Sequence, residues 1–329
     1  MGFITIDNLN SINAELSNYC NAACPMCSRY DWDLNLVKDK TNNAYTSLDD
    51  IKNKIGIKVI RQLQRFASCG VYGDGATNPE CLEIFEFIRK NNKSVYLELS
   101  SNGGTRSTGF WRDLARIGVH VVFAIDGLED TNHLYRRNVQ WQKVLDNAKA
   151  FIDAGGEATW KFMRFLHNEK QVEEARELSK KIGFKEFHVM NSERWKDYDQ
   201  SGNFRDITEL EVDDYVLRKP TSNTENQLPI RTNNVDDIDT AEIICKSCSR
   251  NNFEIYLQAN GNVSPCCWLG DLDLHEAKRL ISDNREVNIH HKDLESILEG
   301  SFFKSLERGI NGQSTADRLQ TCYLTCGKF

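Results

Sequence analysis

A chain of 329 residues, 40% of them hydrophobic and 16 of them phenylalanine, has apolar material for one large domain and a smaller one. A mean hydropathy of −0.54, with no apolar run near the roughly 18 residues of a bilayer span, points away from a membrane protein. A net charge of −7, from 48 acidic and 41 basic residues, offers no basic face for nucleic acid.

The chain opens on "MGFITIDNLN", without the basic start and apolar stretch of a signal peptide, so a cytoplasmic protein is expected. "AELS" reads as a first strand and runs into "NYCNAACPMC", which places Cys20, Cys24 and Cys27 within eight positions. "RFASCGVYG", "VYLELSSN", "VHVVFAID", "ATWKFMRF" and "EFHVM" follow as strands, β-branched or aromatic and bounded by turn signals. Helical patterns separate them. In "NPECLEIFEFIRKNN" Leu82, Phe85 and Ile88 share a face, with Pro79 in the first turn. In "NEKQVEEARELSKKIG" Val172, Ala175, Leu178 and Ile182 do the same, with Gly183 at the stop. About six β-α units over residues 1–190 predict an α/β fold with a parallel sheet, either open or closed into a full or partial barrel.

Residues 191–243 are polar, acidic and poor in aliphatic side chains, and read as a linker or insertion. Residues 244–329 form a separate small module with six of the eleven cysteines, opening on a hairpin at "FEIYLQANGNVSPCCW". In a reducing compartment clustered thiols bind metal more often than each other. Cys69 and Cys81 stand alone and are expected as buried apolar thiols. His167, His275, His290 and His291 carry no ligand spacing, whereas His188 and Trp195, near the last strand, are placed near the open end of the barrel.

Structural zinc takes four tetrahedral ligands, commonly in paired Cys-x2-Cys knuckles. Three thiolates in a Cys-x3-Cys-x2-Cys run, with no nearby fourth ligand, instead suit an iron–sulfur cube held at three corners, its fourth iron open to a small molecule.

With this triplet after the first strand, the chain resembles radical S-adenosylmethionine (SAM) enzymes that carry a C-terminal auxiliary-cluster domain of the SPASM/Twitch type. The resemblance implies a partial (β/α)6 TIM-like barrel and a [4Fe-4S] cluster on Cys20, Cys24 and Cys27. "VYGDGATNPE" resembles the family's Gly-Gly-Glu-Pro stretch, which would set Gly73, Asp74 and Gly75 against the SAM amino group. "LSSNG" resembles its Thr-Thr-Asn-Gly, with Ser100 and Asn102 sharing a face and reaching the methionine carboxylate or ribose. "FAIDG" resembles its Ser-x-Asp-Gly, so that Asp126 would face the site as a catalytic candidate. In "NHLYRR", Arg137 or its neighbour Arg136 would take the SAM carboxylate. Met26 stands where the family usually has an aromatic residue near adenine, and Ala124 where many relatives have a serine.

At the other end, Cys245 or Cys248 followed by Gly261-x4-Cys266 resembles the family's auxiliary-cluster signature. Cys245, Cys266, Cys322 and Cys326 would then hold one auxiliary [4Fe-4S] cluster. Cys248 competes with Cys245, Cys267 is expected to point away, and structural zinc is the alternative. The function so implied is reductive cleavage of SAM to a 5′-deoxyadenosyl radical that abstracts hydrogen from a peptide or protein, with flavodoxin or ferredoxin as electron donor. A small-molecule substrate is the runner-up. An iron–sulfur electron-transfer or scaffold protein would explain the cysteines but not the loop motifs at successive strand ends.

Overall fold

Alternation of short strands and amphipathic helices produces a largely parallel sheet. The computed structural model describes residues 3–30, 34–36, 42–192, 194–198, 204–213, 215–221, 242–245, 247, 252–270 and 275–327. Six strands, β1 (Ser11–Ala14), β2 (Arg65–Cys69), β3 (Tyr96–Ser101), β4 (His120–Ala124), β5 (Ala158–Arg164) and β6 (Glu186–Asn191), run parallel in sequence order. β1 precedes the predicted "AELS" and shares only Ala14 with it, so Glu15, Leu16 and Ser17 lie in the loop leading to the cysteines.

The crossover helices Cys81–Asn91, Thr108–Ile117, Trp141–Asp153 and Val172–Ile182 follow from their apolar stripes. Cys81, Ile84, Phe85 and Ile88 are buried on the first, and Pro79 falls in the turn before it rather than in its first turn. Gly118 and Gly183 end their helices in the left-handed conformation, at φ +80° and +104°.

The two faces of this sheet differ. Phe66, Leu97, Leu99, Phe123, Trp160 and Phe162 point to the helices and are buried. The opposite, inner face carries Glu98, Ser100, His120, Lys161, Glu186 and His188, none of them fully buried. A parallel sheet covered on both sides would be apolar on both. This polar wall therefore faces open space, with the strand ends of the cysteine loop at its rim.

Polar composition does not prevent structure after β6. β7 (Lys196–Tyr198) pairs antiparallel with β8 (Phe204–Asp206), and β9 (Glu209–Val212) with β10 (Tyr215–Arg218). The predicted C-terminal hairpin exists, but it is not detached from the core. β11 (Glu254–Leu257) adds in parallel to the free side of β1, and β12 (Val263–Ser264) returns antiparallel to β11 through Gly261, at φ +88°. One sheet of order β12-β11-β1-β2-β3-β4-β5-β6 thus joins both cysteine groups. Among the described residues no helix is long and apolar enough to cross a membrane.

Candidate active site

The cysteine triplet lies in the loop after β1, with Cys24 buried and Cys20 and Cys27 half-buried. Main-chain bonds fold the loop: the Cys27 N–H donates to the Cys24 carbonyl at 3.0 Å, and the Ala23 N–H to the Arg137 carbonyl at 3.0 Å. Burial, then the field of Asp74, pushes the Cys20 thiol up to about 12; burial pushes Cys24 to about 11, against the lowering pull of Arg136. Thiols so buried stay protonated unless a metal replaces the proton.

Two guanidinium groups flank these sulfurs. Arg29 donates to the Cys20 carbonyl at 3.0 Å, and its buried Nε has no hydrogen-bond partner among the described residues. Arg136 Nη1 lies 3.4 Å from Cys24 Sγ. Three soft donors beside one buried and one half-buried cation fit an anionic, thiolate-ligated cluster. Among the described residues no three His, Cys, Asp or Glu side chains converge on a single-ion position.

Asp74 ties the loops after β2 and β3 to this one. One carboxylate oxygen accepts from the Ala76 N–H at 3.0 Å. The other accepts from Ser101 Oγ at 2.9 Å, the Asn102 N–H at 2.9 Å and Asn102 Nδ2 at 2.8 Å. Burial raises the Asp74 carboxyl, and these bonds pull it back. Both oxygens thus hold bonds within the protein, with Oδ1 accepting only one. Asn102 carries the link onward, with Nδ2 3.6 Å from Cys20 Sγ and 3.0 Å from Asn21 Oδ1. Gly73 and Gly75 are demanded by packing: a Cβ on Gly73 would strike the backbone of Ser17, and one on Gly75 would sit 2.5 Å from Ser68 Oγ.

Asn102 and Ser100 do not share a face. β3 ends at Ser101, so alternation stops there, and Asn102 turns under Asp74 beside Ser101. Ser100 stays on the inner wall, donating to Cys69 Sγ at 3.6 Å. Cys69 itself is not an apolar thiol, because its Sγ lies 3.3 Å from Glu98 Oε1.

Asp126 is fully buried and pairs through Oδ2 with Arg136 Nε at 2.6 Å, while Oδ1 accepts from the Met163 N–H at 2.6 Å. Burial raises its carboxyl against the pull of Arg136. Its place is behind Arg136, as the group that aims it. Of the two adjacent arginines, Arg136 turns in to the cysteines, and Arg137 turns out to an ion pair with Asp213 of the β9–β10 hairpin. Met26 is buried, and its carbonyl accepts from Arg194 Nη1 at 2.5 Å. Arg29 could have been suspected as a cation two residues beyond Cys27. Arg194 and Asn21 carry no signal in the sequence.

The C-terminal cysteines surround a second site, a cavity of about 150 Å³ lined by Cys245, Cys266, Cys267, Cys322, Cys326 and Glu254. Burial pushes Cys266 up to about 12 and raises Cys322 strongly, each also raised by the charge of Cys326. Cys267 also lines this cavity. Cys245 borders it but is disulfide-bonded, which leaves Cys266, Cys267, Cys322 and Cys326 as its free thiols. Cys248 lies outside the described residues.

The profile of the radical SAM superfamily matches residues 14–190. Among solved structures the chain is similar to Streptococcus suis SuiB bound to S-adenosylmethionine, at 12% identity and a TM-score of 0.58, over 95% of this chain and 71% of that one. It is also similar to anSMEcpe with bound AdoMet, at 16% identity and a TM-score of 0.57, over 91% of this chain and 80% of that one. A third likeness is to SuiB bound to the precursor peptide SuiA, at 12% identity and a TM-score of 0.55, over 87% of this chain and 64% of that one. At such identities these likenesses show the fold. No curated protein matches the sequence.

Proposed function

This chain belongs to the radical SAM superfamily, and from that premise we propose that it is an enzyme acting on a peptide or protein by hydrogen abstraction. Cys20, Cys24 and Cys27 would hold a [4Fe-4S] cluster, which together with SAM would supply one-electron reductive cleavage to a 5′-deoxyadenosyl radical. The residues of this chain hold and insulate that chemistry. Arg29 and Arg136 offset the charge of the thiolates, and Asp126 fixes Arg136. Asp74 and Asn102 lock the loops after β2 and β3 against the Cys20 loop, and the polar inner wall receives the substrate. The observation that carries this reading is the convergence of three motif loops, Cys20–Cys27, Gly73–Gly75 and Ser101–Gly104, through the bonds of Asp74 and Asn102.

The peptide class is supported by the likeness to SuiB with its precursor peptide and to anSMEcpe with bound Cp18Cys peptide, at a TM-score of 0.55. In the same reading Cys266, Cys322 and Cys326 hold an auxiliary [4Fe-4S] cluster, with Cys245, once freed from its disulfide, as the fourth ligand. A flavodoxin or ferredoxin serves as electron donor. The test is anaerobic reconstitution, an iron count, reduction with dithionite and chromatography of SAM. About eight irons per chain, at about four per cluster, and 5′-deoxyadenosine are expected. Intact SAM with reducible clusters would overturn the reading and leave an electron-transfer protein.

A further inference from the structure

One cation of the inner wall is uncommitted. Lys161 stands mid-way along β5 with its side chain on the inner face, half-buried, and no hydrogen bond or ion pair holds its ammonium among the described residues. The other charged side chains of that wall have partners. Arg65 is clamped between Glu98, at 3.2 Å, and Glu254, at 2.9 Å. Glu186 turns to His188, with Oε2 3.0 Å from Nε2. Asp126 feels the charge of Lys161, but its oxygens are occupied by Arg136 Nε and the Met163 N–H, each at 2.6 Å. A charge half-withdrawn from water without a counter-ion is a cost to the folded chain, and a carboxylate that arrives with a ligand removes it.

The place of Lys161 points to the ligand. Register sets it level with Ala124 on β4 and His188 on β6. The Ala124 side chain offers neither an acceptor for the ammonium nor bulk to block it. Met163, two residues or about 7 Å further along β5, donates its N–H to Asp126, which holds Arg136 against Cys24. Lys161 therefore lies just below the cysteine loop, on the wall assigned above to the substrate.

We propose that Lys161 is the specificity-determining residue of this wall, and that it pairs with a carboxylate of the peptide substrate, an Asp or Glu side chain beside the reacting residue. This inference rests on the peptide reading above and adds the charge of the segment that enters. With a net charge of −7 the protein repels an acidic peptide at long range, so the selection is local. Lys161 positions the peptide under the cysteine loop and takes no part in hydrogen abstraction itself.

The test uses the full-length reconstituted enzyme and a randomised peptide library, and reads which peptides bind in the presence of SAM. Selection on the wild type should enrich Asp or Glu at one position. Replacing that residue by Asn or Gln in a selected peptide should weaken binding about tenfold or more, as expected for a hydrogen bond between charged groups. Lys161→Glu should reverse the preference and select Lys or Arg at the same position, which the loss of a merely structural contact would not do. Lys161→Met should lose preference of either sign with its iron content retained. No charge preference in the wild type, or an unchanged acidic preference in Lys161→Glu, would overturn the inference and leave the peptide reading intact. SAM carries a carboxylate as well, so the wild type and Lys161→Met are dialysed against SAM and against decarboxylated SAM. Loss of affinity in the variant for SAM alone would assign the ammonium to the cofactor and overturn its assignment to the substrate. Absence of any peptide binder, with SAM still cleaved, would remove the peptide reading and this inference together. Should Lys161→Glu fail to fold, the Asn and Gln peptides and Lys161→Met decide.

Discussion

Arg136 bridges Asp126 and Cys24, with Nε 2.6 Å from the Asp126 carboxylate and Nη1 3.4 Å from the Cys24 sulfur. Burial alone would disfavour its charge, but Asp126 and Cys24 hold it firmly protonated. A fixed cation beside a ligand sulfur stabilises the more negative, reduced state of whatever metal group the sulfur carries.

Arg136→Met should therefore make the potential of the primary cluster more negative. One charge at about 6 Å, with an effective dielectric near ~20, corresponds to a shift on the order of 100 mV. Arg136→Lys should recover part of it, because charge returns without the planar fork. Potentiometric titration followed by electron paramagnetic resonance reads the shift, and an unchanged potential would place Arg136 outside the field of the cluster. Asp126→Ala should also destabilise the fold. It removes the carboxylate partner of a half-buried guanidinium that stays charged.

Asp74 accepts four hydrogen bonds, three of them on one oxygen. Asp74→Asn turns an amide toward the donors of Ser101 or Ala76 and strands at least one buried group, at about 1–3 kcal/mol. Because Asn102 continues from Asp74 to Cys20, the variant should lose both SAM affinity, by at least tenfold, and part of its primary-cluster iron. Equilibrium dialysis with SAM and an iron assay on the same sample separate the outcomes. Full iron with weakened SAM binding would return Asp74 to a direct SAM contact.

The cysteine triplet and the loop motifs were legible because each is local: spacing, glycine and a strand end suffice. Gly73 and Gly75 are a good case, since the contacts that forbid a Cβ arise wherever this loop packs on the one after β1. Asn102 leaves the face of Ser100 because alternation holds only while the strand lasts, and β3 stops at Ser101. Arg136 and Arg137 are adjacent, and only the turn after Asn132–Tyr135 decides which of them faces inward. Pairing of Ser11 with Glu254 could not be read at all, because a parallel contact between such distant segments has no local signature. Cys266 and Cys267 are a related case. Cys266 is extended and Cys267 starts a 3₁₀ turn, a change of backbone with no local signature that lets both residues line one cavity.

The cysteine-lined cavity predicts a second iron count. Serine at Cys266, Cys322 or Cys326 should lower iron from about eight to about four per chain, leaving the primary cluster in place. Cys245→Ser and Cys267→Ser should differ: only the variant that removes the fourth ligand should lose the auxiliary signal in Mössbauer spectra. Loss in Cys267→Ser alone would reassign the ligand to the thiol that already faces the cavity without a disulfide. Stoichiometric zinc with no second cluster in any variant would replace the auxiliary-cluster reading altogether.

Glu15 seals the seam between β1 and the C-terminal strand, and it makes that seam pH-dependent. Its N–H donates to the Leu257 carbonyl at 2.7 Å, and its side chain accepts from the Tyr72 N–H at 2.5 Å. Burial raises the carboxyl from 4.5 to about 7, against hydrogen bonds from Tyr72 and Tyr256 that lower it. A carboxyl with a raised folded pKa favours the protonated native state. The stabilisation is complete below about 4.5 and is lost as pH rises through about 7. About 2.5 units at 1.36 kcal/mol each give roughly 3 kcal/mol across that window. Glu15→Gln, permanently neutral and still an acceptor for the Tyr72 N–H, should melt like the wild type near pH 5. It should melt several degrees higher at pH 8. Parallel pH profiles for the two proteins would show that Glu15 ionises at its ordinary value and that the seam between the halves of the sheet does not titrate.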